Sequence, residues 1–192
     1  MGKNYLLNLI RSKNTIFTTK DIALIWNESR ADFIRKKLYR YAKSGKLYSV
    51  RKGIYAKDAN YDKYELAAKI FTPAYISFET ALAKAGVIFQ FYGQIFIASY
   101  LTRQLVIGGQ TYSFKKIKDS ILTNRMGIEN RGNYFIASAE RAFLDVVYLN
   151  KEYHFDNLLN IDWGKVMEIL PIYNNKRMEA KIKKYREAAI KD

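Results

Sequence analysis

The sequence predicts an α+β protein, with an N-terminal winged helix-turn-helix at residues 1–57 and a mixed α/β domain at residues 58–192. Three observations predict it. The first 57 residues show three helix-spaced apolar patterns followed by a short hairpin pattern. Basic charge is concentrated in the same stretch. Residues 87–117 are rich in β-branched and aromatic residues, and helical patterns stand on either side of them.

The elements of the first segment follow in order. Tyr5, Leu6, Leu9 and Ile10 have helical spacing and predict a helix over residues 3–12. Thr18 or Thr19 can cap a second helix containing Ile22, Leu24 and Trp26, with Asp21 well placed in its first turn. Asn27-Glu28 makes a short turn. Ser29 is expected to cap a third helix from about Arg30 to Lys43, which Gly45 stops in the left-handed conformation.

On that third helix, Ala31, Ile34, Leu38, Tyr41 and Ala42 share one stripe at about 100° per residue. Lys36, Arg40 and Lys43 fall opposite it with Ser29, Asp32 and Phe33, while Arg35 and Lys37 flank the stripe. An apolar stripe backed by a cationic face suits a helix lying in the major groove of DNA. Phe33 is out of place on the wet face; it either packs on the second helix or touches a thymine methyl group. Leu47, Tyr48 and Val50, then Ile54 and Tyr55, read as two strands joined by the turn Arg51-Lys52-Gly53. A cationic hairpin tip directly after a recognition helix is the wing of a winged helix.

The second segment begins with a helix over residues 58–70 and a break at Pro73. Residues 76–82 predict another helix with Ser77 as cap, ended by Gly86. Strands are expected around Ile95–Tyr100, Leu105–Ile107 and Thr111–Phe114, with a hairpin turn at Gly108-Gly109 and a further short strand at Ile121–Thr123. Ser138 caps a helix through Asp145, and two more helices are expected at residues 162–170 and 174–190, separated by Pro171.

Composition narrows the function. Hydrophobic residues form 49% of the chain, which is enough for a sizeable core and argues against global disorder. The net charge of +15 favours a polyanionic partner. Residues 1–57 hold 14 Lys and Arg against 3 Asp and Glu, so most of the surplus is local, as a local polyanion site requires. There is no Cys and one His, His154, which excludes disulfides, thiol nucleophiles and Cys- or His-rich metal sites. No phosphate loop, dinucleotide fingerprint or nucleophile elbow is present, and no cofactor is expected. No signal peptide or membrane-spanning stretch is read, so the expected location is the cytoplasm.

Three phrases carry a resemblance. They are Gly45-Lys46-Leu47 with Val50-Arg51-Lys52-Gly53-Ile54-Tyr55, then Ile76-Ser77-Phe78-Glu79-Thr80-Ala81-Leu82 with Gly86, then Ser138-Ala139-Glu140-Arg141-Ala142-Phe143-Leu144-Asp145. In this order after a winged helix, the chain resembles AbiEi-type antitoxins, the transcriptional-regulator half of type IV toxin–antitoxin and abortive-infection systems, over about residues 3–150. The resemblance implies a repressor that binds inverted repeats in its own operator, as a monomer or weak dimer pairing on double-stranded DNA. It also implies a second domain that neutralises a cognate nucleotidyltransferase-like toxin, and no enzymatic activity. The residues implied to contact DNA are Ser29, Arg30, Lys36, Lys37, Arg40, Arg51 and Lys52.

Other readings stand beside this one. Asp162 upstream of Glu179-Ala180-Lys181 loosely matches the acidic-acidic-Lys pattern of metal-dependent nucleases, although Glu179 lies in a helical pattern. A stand-alone winged-helix regulator without a toxin is another. Lys176, Arg177, Lys181, Lys183, Lys184 and Arg186 form either a second phosphate-contacting surface or a solvated face. Arg141 and Asp145 are spaced as an intrahelical ion pair.

Overall fold

The computed structural model describes residues 4–90 and 92–189. Its first unit runs α1 (Tyr5–Ile10), β1 (Ile16–Thr18), α2 (Thr19–Trp26), α3 (Ala31–Lys43), β2 (Tyr48–Arg51) and β3 (Ile54–Ala56). The first helix is shorter than its apolar pattern predicts, and Lys3 lies outside the described residues. Thr18 takes the capping role at α2. Its Oγ1 accepts the Asp21 N–H at 3.1 Å while the Asp21 carboxylate accepts the Thr18 N–H at 2.9 Å, a reciprocal capping box.

Ser29 does not cap α3. The position belongs to Arg30, which makes no side-chain cap bond, and the Glu28 carboxylate takes the Arg30 N–H at 3.1 Å. At the other end, the N–H groups of Gly45 and Lys46 reach back to the carbonyls of Ala42 and Tyr41. That closure needs a left-handed residue after the helix, and Gly45 supplies it with φ +69°.

Strand β1 is an element that its three residues did not announce. It pairs antiparallel with β3, Ile16 opposite Ala56 and Thr18 opposite Ile54, and β2 flanks β3 on the other side. Successive residues of a strand point to opposite faces. Accordingly Phe17 joins the helical cluster of Leu9, Ile22, Trp26, Ile34, Leu38 and Leu47. Ile16, Ile54 and Ala56 instead join the larger core with Leu66 and Ala67. The small sheet is thus shared by two apolar clusters.

The second unit contains α4 (Lys63–Ile70), β4 (Ala74–Ile76), α5 (Phe78–Lys84), β5 (Gln94–Ser99), β6 (Arg103–Ile107), β7 (Gln110–Lys116), α6 (Asp119–Leu122), β8 (Ile128–Asn130) and β9 (Phe135–Ala137). It ends with α7 (Ala139–Leu149), α8 (Trp163–Ile169), a 3-10 turn (Leu170–Tyr173) that holds Pro171, and α9 (Lys176–Ala189). The architecture is α+β, with a mixed six-stranded sheet in the order β6-β7-β5-β4-β9-β8. Strands β5 and β7 are parallel, as are β4 and β9. Ile95 to Ser99 are buried without alternation, so both faces of β5 are covered. On β7 burial alternates, Tyr112 and Phe114 inward.

The strand expected at Ile121–Thr123 is part of a helical turn instead. Ile121 and Leu122 are both buried as neighbours, and their N–H groups share the Lys118 carbonyl at 2.9 Å. A strand would have sent the two to opposite faces. Ile76, expected to open a helix, ends β4. Ser77 stands at the cap position of α5 but its side chain does not cap. Its hydroxyl donates to Asp145 at 2.7 Å.

That bond belongs to a buried network tying together the second and third phrases quoted above. Asp145 also accepts from the hydroxyls of Tyr173 at 2.6 Å and Tyr75 at 3.0 Å, and from Arg141 Nε at 3.3 Å. Arg141 donates to Tyr75 and to the carbonyls of Ile121 and Met126 at 2.7–2.8 Å. Burial pushes both Tyr75 and Tyr173 well above the ordinary tyrosine range, so each stays a neutral donor. The network fastens α7 to β4, the 3-10 turn and the loop after α6. No helix of the described residues is long and apolar enough to cross a membrane.

Candidate nucleic-acid interface

The orientation of α3 is set from behind. Ile34 and Leu38 are buried against α2, and the Trp26 ring meets Tyr41 edge-on at 6.3 Å. Trp26 Nε1 donates to the Tyr5 carbonyl at 2.9 Å, which ties α1 to the same support. The opposite face is open. Ser29, Lys36, Tyr39, Arg40 and Lys43 are exposed, Tyr39 by 65% although it is a large aromatic.

The turn between β2 and β3 carries Arg51 and Lys52, both exposed. Gly53 makes that turn possible at φ +81°. Its carbonyl accepts from the Thr19 N–H at 3.0 Å and from Thr19 Oγ1 at 3.3 Å, which anchors the hairpin tip to the start of α2.

The cations of this unit divide into two sets. Arg30 is held by Glu28 through Nε at 2.9 Å and Nη2 at 2.8 Å. Arg35 is bonded to Asp32. Lys37, expected to flank the apolar stripe, is half-buried, its ammonium 4.6 Å above the Tyr5 ring and within 6 Å of Phe33 and Tyr41. Among the described residues, Lys36, Arg40, Lys43, Arg51 and Lys52 have no carboxylate partner. The three acids of the segment face cations of their own, because Asp21 bonds Lys69 at 2.8 Å. Burial works against the Asp21 charge, but the Lys69 ammonium and the Thr18 donors outweigh it and hold that carboxyl below its ordinary value.

The Phe33 ring lies 5.5 Å from Tyr5 of α1, with the Arg30 guanidinium 5.0 Å over its face. Sequence reasoning passed over Glu28 and Tyr39. Glu28 had a signal, since a carboxylate two residues before an arginine at a helix start can reach it. Tyr39 had none beyond its angle opposite the apolar stripe.

The residues of the other candidate constellation each have a local setting of their own. Asp162 accepts the N–H groups of Gly164 and Lys165 as the cap of α8, Lys181 donates to the Asn150 carbonyl, and Glu179 is exposed on α9. Among the described residues no three His, Cys, Asp or Glu side chains are placed to hold a metal ion. Lys176, Arg177, Lys183, Lys184 and Arg186 are exposed along α9, while Lys181 is half-buried. No family model matches this chain, and no curated protein matches it.

Proposed function

We propose that this chain is a DNA-binding transcriptional repressor and antitoxin, with a winged helix-turn-helix at residues 1–57 and a regulatory domain at 58–192. One observation carries the DNA-binding part. The open face of α3 and the hairpin tip after it both present cations without carboxylate partners, on elements locked from behind by apolar packing. Free cations can neutralise phosphates without first breaking an ion pair, so their affinity for the backbone is fully available. The element order supports the winged-helix assignment: helix, strand, helix, helix, hairpin, with the first strand completing the hairpin's sheet. In this reading α3 enters the major groove and Arg51 and Lys52 lie along the phosphate backbone.

The partner is double-stranded DNA carrying inverted repeats upstream of the chain's own gene, and the place of action is the cytoplasm. The antitoxin part rests on the resemblance of the second unit's phrases to AbiEi-type antitoxins. It implies rescue from a toxin encoded next to this gene.

The wing is tested by reversing its charge. Arg51→Glu with Lys52→Glu is expected to weaken binding to every DNA sequence and to lower the slope of log K against log salt by about one per lost phosphate contact. Repression of a reporter behind the chain's own upstream DNA is expected to be lost with it. An unchanged slope would remove the wing from the interface.

A further inference from the structure

Arg30 differs from the other cations of the first unit. It stands at the cap of α3, with its side chain 69% exposed, yet its guanidinium is fixed. Glu28, only 8% exposed, receives Nε and Nη2 in a two-point bond at 2.9 and 2.8 Å. The Phe33 ring lies under the guanidinium at 5.0 Å. Phe33 is itself packed on Tyr5, so the platform is as rigid as the helix pair. The same carboxylate takes the Arg30 backbone N–H, which ties the head of the side chain to its own cap position.

A phosphate contact needs no such arrangement, because phosphates are reached by flexible cations from many directions. A guanine does need it. Its O6 and N7 accept two parallel bonds from a guanidinium only when the fork approaches in the base plane. Glu28 occupies one edge of the fork. The edge formed by Nη1 and the outer Nη2 hydrogen remains, at the end of the recognition helix that approaches base edges. Partial neutralisation by Glu28 also lowers the attraction of Arg30 for backbone phosphates relative to Lys36 or Arg40.

We infer that Arg30 reads a guanine in each half-site, and that Glu28 and Phe33 are positioning residues that hold its guanidinium for that contact. The inference rests on the regulator reading above and adds which base is read and by what device. It also gives Phe33 a role that neither core packing on α2 nor a thymine contact supplied.

The test is selection of bound duplexes from a randomised library, by the full chain and by Arg30→Ala, Arg30→Lys and Glu28→Gln, each first matched to the wild type in thermal unfolding. Salt slopes are measured on the selected duplex. The wild type is expected to select a guanine at one position per half-site. Arg30→Ala and Arg30→Lys should lose that preference by ~5- to ~150-fold, the range of a two-point contact, with the slope nearly unchanged. Glu28→Gln should weaken the preference only when Arg30 is present. A duplex carrying 7-deazaguanine at that position, which keeps O6 but lacks N7, should bind the wild type more weakly than guanine does and leave Arg30→Ala unaffected. If Arg30→Ala weakens all sequences equally and lowers the slope by about one, Arg30 is a phosphate contact and the inference is overturned. A guanine preference unaltered in Glu28→Gln overturns the positioning role. A wild type that enriches no sequence overturns the regulator reading itself, and the guanine assignment with it.

Discussion

Removing the Asp145 carboxylate would leave the Arg141 guanidinium buried without its counter-charge, since both side chains are fully enclosed. Breaking such a pair from one side costs about 3–5 kcal/mol. Asp145→Ala is therefore expected to lose stability of that order in urea unfolding, and Asp145→Asn less, because an amide oxygen at the Oδ2 position still accepts from the Ser77 and Tyr75 hydroxyls. A loss under about 1 kcal/mol for the alanine variant would show that the network is not a single polar unit. At this scale the sequence was partly legible. The spacing of Arg141 and Asp145 identified the pair, and the helix wheel identified Lys36 and Arg40 as open. Neither could show that Tyr75, Ser77 and Tyr173 converge on Asp145 from two other segments, nor that Lys37 lies on a tyrosine ring. Those facts depend on contacts between residues far apart in the chain.

Elements were legible where caps and periodicity agreed. Thr18 with Asp21, Gly45 after α3, Gly108-Gly109 between β6 and β7, and Ser138 before α7 all stand where local chemistry puts them. Strands β1, β4, β8 and β9 were not foreseen. Each has three residues, too few to display a two-residue period, and each is made a strand by its partner. The Ile121–Thr123 stretch erred in the opposite direction, because β-branched composition there was overridden by burial of two adjacent side chains. The capping box of α2 yields a pH prediction. The Asp21 pKa is lower in the fold than its ordinary value of 3.8. Its contribution is therefore fully present above that value and is lost as pH falls through the lowered one. Asp21→Asn is expected to be less stable at neutral pH and to lack this part of the acid unfolding limb in a pH series. Parallel wild-type and variant curves would mean that the Lys69 bond and the cap add nothing.

At the scale of the molecule, the small sheet joins the two units instead of separating them. Its β1 and β3 lie between the helical cluster and the large core. Glu65 of α4, fully buried, accepts from the Thr15 N–H at 2.8 Å and from Thr15 Oγ1 at 2.7 Å, and Lys69 bonds Asp21 across the same junction. The hairpin tip that is proposed to grip DNA is therefore mounted on the core of the second unit as well as on its own helices. Composition located the basic segment, but this mounting could not be read from it, because Ile16 and Phe17 look alike until their opposite faces are known.

The most direct test of the central claim is a gel-shift titration of the full chain against the DNA upstream of its own gene, beside scrambled DNA of equal length, at two salt concentrations. The account predicts tighter binding to the native fragment, with a preference that persists at the higher salt, because base contacts release no counterions. Equal binding to both fragments, lost together as salt rises, would contradict it, leaving a protein whose basic unit grips phosphates without reading sequence.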